Sequence, residues 1–82
     1  MVYVSARAYK EGSSDVLYIT EDGRKVLRQG GSRSWRNSNP GNLRFTSFAR
    51  AQGAIGTAGG FAVFADSLRG RAALATLLHG SA

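Results

Sequence analysis

The sequence of 82 residues contains no cysteine and a single proline. Without cysteine there is no disulfide framework, no zinc ribbon and no thiol nucleophile. Acidic residues are scarce: Glu11, Asp15, Glu21, Asp22 and Asp66 are the only five. With one histidine, His79, and scattered acids, no metal-ligand cluster can be assembled from sequence spacing. Asp15, Glu21 and Asp22 also lack the spacing of a calcium loop. No cofactor is expected. No apolar run approaches the ~20 residues of a membrane span. The opening residues Met1-Val2-Tyr3-Val4-Ser5 lack the basic and apolar regions of a signal peptide.

What is present is a globular composition, 43% hydrophobic, with 11 glycines. The length suits one domain, expected over 1–82, and a chain this short buries only ~60% of its unfolded surface. Its core must come from Tyr3, Tyr9, Tyr18, Trp35, Phe45, Phe48, Phe61 and Phe64 with a set of Val, Leu and Ile residues. The sequence stops just after a helical pattern, at Gly80-Ser81-Ala82, which suits a piece of a longer protein as well as a small domain.

The net charge is +6, from nine Arg and two Lys. From Gly23 to Ala65 there is no acid, and the stretch carries Arg24, Lys25, Arg28, Arg33, Arg36, Arg44 and Arg50. Seven cations without a counter-charge attract polyanions. The alternative is a solubilising surface in which Arg stems cover apolar area.

Residues 2–29 read as a three-stranded antiparallel meander. Val2 to Tyr9 alternates loosely, with Tyr3, Ser5, Arg7 and Tyr9 on one face and Val4, Ala6 and Ala8 on the other. Val16 to Thr20 is rich in β-formers, and Asp22-Gly23 signals a hairpin into Arg24 to Gln29. Ser32 to Arg44 is polar and irregular, with Pro40-Gly41 placed for a type II turn. Phe45 to Gly60 reads as turns, with one short helical turn near Ser47–Ala51. Phe61 to Phe64 is a short apolar strand. Asp66 or Ser67 caps a helix from Leu68 to His79 whose apolar stripe is Leu68, Ala72, Ala75 and Leu78, widened by Leu74 and Leu77. Gly80 stands where a helix C-terminal cap belongs. The fold class is α+β, with the helix packed on the sheet and the Asn-Pro-Gly loop at the sheet's edge.

The most specific segment is Trp35-Arg36-Asn37-Ser38-Asn39-Pro40-Gly41-Asn42-Leu43-Arg44. It is followed by Gly53-Ala54-Ile55-Gly56, by Gly59-Gly60-Phe61-Ala62-Val63-Phe64 and by Gly70-Arg71-Ala72-Ala73-Leu74. Together these resemble the Arg-Asn-Asn-Asn-Pro-Gly-Asn-Ile/Leu-Arg domain of phage virion-associated cell-wall proteins and secreted, toxin-like bacterial proteins. The resemblance covers about residues 33–79, and Ser38 stands where the common motif has its middle Asn. It implies an exported or virion-associated setting as part of a larger protein. It also implies muramidase or lytic transglycosylase chemistry in some members, which needs a carboxylic acid held near the glycosidic bond. Glu11 and Glu21 fall in turns, without the partial burial that a general acid needs. Asp66 reads as a helix cap, so no catalytic residue is assigned.

The Asn side chains have two readings. They hold an irregular loop together by bonding to backbone, or Asn37, Asn39 and Asn42 bind sugar or peptide groups while Trp35 stacks on an apolar sugar face. In the second reading Arg36 and Arg44 supply charge for carboxylates or phosphates. Trp35 reads first as a core anchor and second as a stacking platform. His79 suits the negative end of its helix and has no catalytic partner. The Gly53–Gly60 run lacks the Lys-Ser/Thr of a phosphate loop. The chain is therefore expected to be a monomeric, non-catalytic binding module for a cell-wall glycan or a protein. A peptidoglycan-cleaving enzyme, or part of one, is the second expectation. A nucleic-acid binder acting through residues 24–50 is the third.

Overall fold

Two hairpins supply most of the sheet in the computed structural model, which describes residues 2–80. Met1, Ser81 and Ala82 lie outside the described residues, so the reading of the Gly80-Ser81-Ala82 ending falls largely there. The strands are β1 (Tyr3–Ala8), β2 (Val16–Thr20), β3 (Lys25–Arg28), β4 (Gly56–Ala58) and β5 (Phe61–Val63). The helices are α1 (Arg33–Arg36), α2 (Ser47–Ala51) and α3 (Ser67–His79). The architecture is α+β, as the sequence indicated.

The strand order is β3-β2-β1-β4-β5. The antiparallel meander β1-β2-β3 forms as expected. Glu21, Asp22 and Gly23 make a three-residue β2–β3 connection with Gly23 at φ 88, the loop that pairs a type I turn with a left-handed glycine. The sheet does not stop at three strands. β4 joins β1 in parallel, and β5 returns antiparallel through Gly59-Gly60 at φ 60 and 84, the geometry of a type I′ hairpin. Residues 56–58 read locally as turns because Gly-Thr-Ala is a weak strand former. Their pairing with β1 is set by contacts about fifty residues distant in sequence.

The face assignment of β1 also changes. Tyr3 pairs with Thr20 and Ser5 with Ile19, so Val4 is an extra residue, a bulge, and it is 50% exposed. The bulge brings Tyr3 onto the same face as Ala6, where both pack with Val16, Tyr18, Val26, Ile55, Ala58 and Val63. Strict alternation would have placed Tyr3 and Ala6 on opposite faces.

A second cluster joins Ala49 of α2, Ala62, Phe64 and Ala73 of α3, with Leu43, Phe45 and Ala54 around it. Asp66 caps α3, its carboxylate accepting from Arg69 N–H at 2.8 Å. The helix does not bury the stripe read from its sequence: Leu68, Leu78 and Leu77 are exposed. It buries Gly70 and Ala73, with Leu74 half-buried, and packs against the Asn-Pro-Gly loop and the β5 edge rather than across the meander. Small residues on that face allow backbone-close approach. A Cβ on Gly70 would stand 2.1 Å from the Ser38 carbonyl oxygen.

That contact reverses an ordinary expectation. Glycine inside a helix usually costs about 1 kcal/mol relative to alanine. Here Gly70→Ala drives a methyl into backbone, and it should lower the unfolding free energy by about 1–3 kcal/mol. Urea titration reads the sign directly as a shift of the midpoint to lower denaturant.

Candidate functional site

The Asn-rich loop is a scaffold along the outer edge of β5. Ala62 N–H donates to the Leu43 carbonyl at 2.9 Å, Phe64 N–H to the Asn37 carbonyl at 3.0 Å, and Phe45 N–H to the Gly60 carbonyl at 3.0 Å. The Ala62 carbonyl accepts from Asn39 Nδ2 at 2.9 Å and from Asn37 Nδ2 at 3.3 Å. Asn39 also donates to the Leu43 carbonyl and accepts from Leu43 N–H, at 2.9 and 3.0 Å, so its amide is fully engaged. Asn37 and Asn39 are buried, and Asn39 has no exposed surface. Of the two readings of these residues, the one that holds the loop together describes their geometry.

The turn itself differs from the expected type II. Asn42 N–H donates to the Asn39 carbonyl at 3.0 Å, but the left-handed residues are Ser38 at φ 51 and Asn42 at φ 49, not Gly41. Gly41 answers to packing instead: a Cβ there would lie 2.7 Å from Leu74 Cδ1.

Behind the loop runs a chain of polar groups. Arg28 Nη1 donates to Ser38 Oγ at 3.0 Å and to the Trp35 carbonyl at 2.5 Å. Tyr18 donates its hydroxyl proton to the Arg36 carbonyl at 2.5 Å, so Ser38 is the donor in its 3.0 Å contact with Tyr18 Oη. Ser38 therefore ties the loop to both Tyr18 and Arg28. Burial pushes the Tyr18 phenol above its ordinary value, with the Ser38 hydrogen bond and the Arg28 charge pulling the other way.

α1 carries the side chains that face outward. Ser32 caps it, accepting from Trp35 N–H at 3.2 Å. This segment read as irregular because one helical turn has no periodicity to detect. Trp35 is 51% exposed, which overturns its reading as a core anchor. The Arg28 guanidinium lies 4.7 Å from the Tyr18 ring and 5.1 Å from the Trp35 ring, and Gly31 lies against the indole.

Two clefts flank α1. The larger, of about 370 Å³, is lined by Tyr3, Arg28, Ser34, Trp35, Asp66 and Arg69 among others. Asp66 and Arg69 are ion-paired there at 2.5 Å. The smaller, of about 220 Å³, is lined by Ser13, Ser14, Arg33, Arg36, Asn37 and Phe61 with glycines and Ala58. Arg33 and Arg44 both lie over the Phe61 ring, at 4.0 and 4.8 Å.

The six residues singled out in the sequence thus do not form one site. Trp35 belongs to the larger cleft, and Arg36 with the edge of Asn37 to the smaller. Asn39 is interior, while Asn42 and Arg44 are exposed outside both linings. Arg28, Arg33, Phe61 and Tyr3 were not singled out. The acid-free stretch pointed at Arg28 and Arg33, whereas Tyr3 depends on a bulge with no local signature. Glu11, Glu21 and His79 are exposed. No group of three or more His, Cys, Asp or Glu side chains that could hold a metal ion occurs among the described residues. Among the described residues no helix is long and apolar enough to cross a membrane. No protein-family model matches the chain, and neither does any curated protein or solved structure with which it was compared.

Two expected outcomes follow from this network. Asn39→Ala leaves the half-buried Leu43 N–H without its acceptor and removes two further bonds, lowering stability by about 2–4 kcal/mol. Hydrogen exchange should accelerate first at the Leu43 and Ala62 amides. For Tyr18 the folded pKa is raised, so its contribution is complete below the unfolded value of about 10 and is lost as pH rises through the folded value. Phenolate absorbance followed with pH should show one late step that coincides with unfolding, and Tyr18→Phe should remove that step.

Proposed function

We propose that this protein is a non-catalytic binding module that docks on cell-wall glycan through the cleft beside Trp35. The observation that carries the reading is the indole: half exposed, bordering a cleft, and held by Gly31 and by the Arg28 guanidinium. A fixed aromatic face next to hydroxyls and charged groups fits a sugar ring, which has an apolar face and a polar rim. Tyr3 adds a second aromatic, Ser34 and Ser67 add hydroxyls, and Arg28 and Arg69 supply donors for the carboxylates of wall peptides. The resemblance of residues 33–79 to phage virion-associated cell-wall proteins supports the same class of target.

The role of Asp66 separates this reading from an enzyme. It is the acid that lines the larger cleft. Its carboxylate caps α3 and pairs with Arg69, so both oxygens already serve the helix start. Glu11 and Glu21 lie in exposed turns outside the lining of that cleft.

Titration of the isotope-labelled protein with soluble peptidoglycan fragments should shift the Trp35 indole N–H together with Tyr3 and Ser34. Trp35→Ala should weaken binding about tenfold or more, near 1.4 kcal/mol, with a smaller change in stability because the ring is half exposed. No shift at these groups overturns the reading. Clearing of purified cell walls by the protein would replace it with the enzymatic one.

A further inference from the structure

The smaller cleft concentrates positive charge with nothing to balance it. Arg33 and Arg36 line it, and Arg44, outside that lining, shares the Phe61 ring with Arg33. No acid lines the cleft. The ion pairs among the described residues, Asp22 with Arg24 and Asp66 with Arg69, leave all three of these arginines without one.

The donors there are also incompletely used. Arg36 Nη1 donates to the carbonyls of Gly31 and Gly30 at 2.7 and 3.1 Å. Nη2 makes no hydrogen bond within the protein, and Nε is buried without an acceptor. A buried donor without an acceptor is uncommon and costly. Ser13 Oγ accepts from Asp15 N–H at 3.0 Å, which leaves its own proton to donate, and Ser14 beside it is exposed.

We propose that this cleft is a binding site for a phosphate monoester carried on a small ligand. Two guanidinium groups lining a cleft that no acid lines are offset better by a group of about −1.5 to −2 than by a carboxylate or a phosphodiester, each of which brings one charge. Arginine forks match the geometry of phosphate oxygens. The volume of about 220 Å³ admits the phosphate and the first few atoms attached to it. The site lies on the other flank of α1 from the Trp35 cleft, and the proposal stands independently of the reading given to that cleft.

The test is an NMR titration of the arginine Nε–Hε signals with inorganic phosphate at constant ionic strength and neutral pH. A saturable shift of Arg36 Nε–Hε, with the Ser13 and Ser14 amides following, is expected. Arg33→Gln, at an exposed position, should weaken binding about tenfold, the worth of one charge-assisted hydrogen bond. Arg50→Gln, outside the cleft, should leave it unchanged. Dimethyl phosphate, a diester with one charge, should bind more weakly than inorganic phosphate. Equal shifts with sodium chloride, an unmoved Arg36 signal, or an R33Q protein that binds as well as the parent would each overturn the proposal. So would a short DNA duplex that moves Arg24, Arg28 and Arg50 together while inorganic phosphate moves nothing in the cleft. That outcome would make the basic stretch a polyanion surface.

Discussion

The bond between the Asn39 amide and the Ala62 carbonyl is the constraint on which the arrangement turns. β5 is the last strand of the sheet, and an edge strand presents unpaired backbone groups. In this protein the edge is closed by a loop, not by another strand. Side-chain amides of Asn37 and Asn39 complete what the loop backbone leaves undone. Because Asn39 bonds Leu43 at the same time, closing the edge and shaping the turn are one event. Everything placed on the loop inherits its position from this junction: α1 on one side, the Gly41 contact with Leu74 on the other, and through Gly70 the docking of α3.

This explains the composition of the motif more economically than a binding role for every polar residue in it. Asn37 and Asn39 are needed where donors and acceptors must be supplied in the interior. Asn42 is needed where a non-glycine residue takes a left-handed conformation. Gly41 and Gly70 are needed where two backbones and a leucine approach closely. Scaffolding leaves Trp35, Arg28, Arg33, Arg44 and part of Arg36 outside, and the two proposals draw on this set.

The parts of the fold that were legible in the sequence are those whose cause is local. The β2–β3 hairpin announces itself through Asp22-Gly23, and the start of α3 through Asp66. The turn of helix at Ser47–Ala51 was legible too, whereas the Asn-Pro-Gly loop lies along β5 and not at the edge of the β1-β2-β3 meander where the sequence put it. The parts that were not legible depend on partners remote in sequence. β4 is a strand because β1 and β5 hold it, not because Gly-Thr-Ala favours one. The buried face of α3 is its small face, because the loop must come within contact of Ser38. Periodicity points to leucines and is blind to such a demand. The exposure of Trp35 likewise follows from α1 standing outside the sheet, which no pattern in so irregular a segment could reveal.

The same separation bears on the site. In so small a domain one segment has to be both structure and surface, and it does so by residue type. Amides and small residues satisfy the inside, where a charge could not be buried without a partner. Guanidinium groups lie along the outside, over the rings of Phe61, Tyr18 and Trp35. Cation–π contact holds them in place without neutralising them, as an acidic partner would. An acid-free stretch is therefore no accident of composition in the architecture of this chain. It keeps arginines oriented by aromatic rings and still charged toward solvent, on both flanks of a single helical turn. That is the arrangement on which both proposed sites draw, while the shaping of the loop is left to its asparagines.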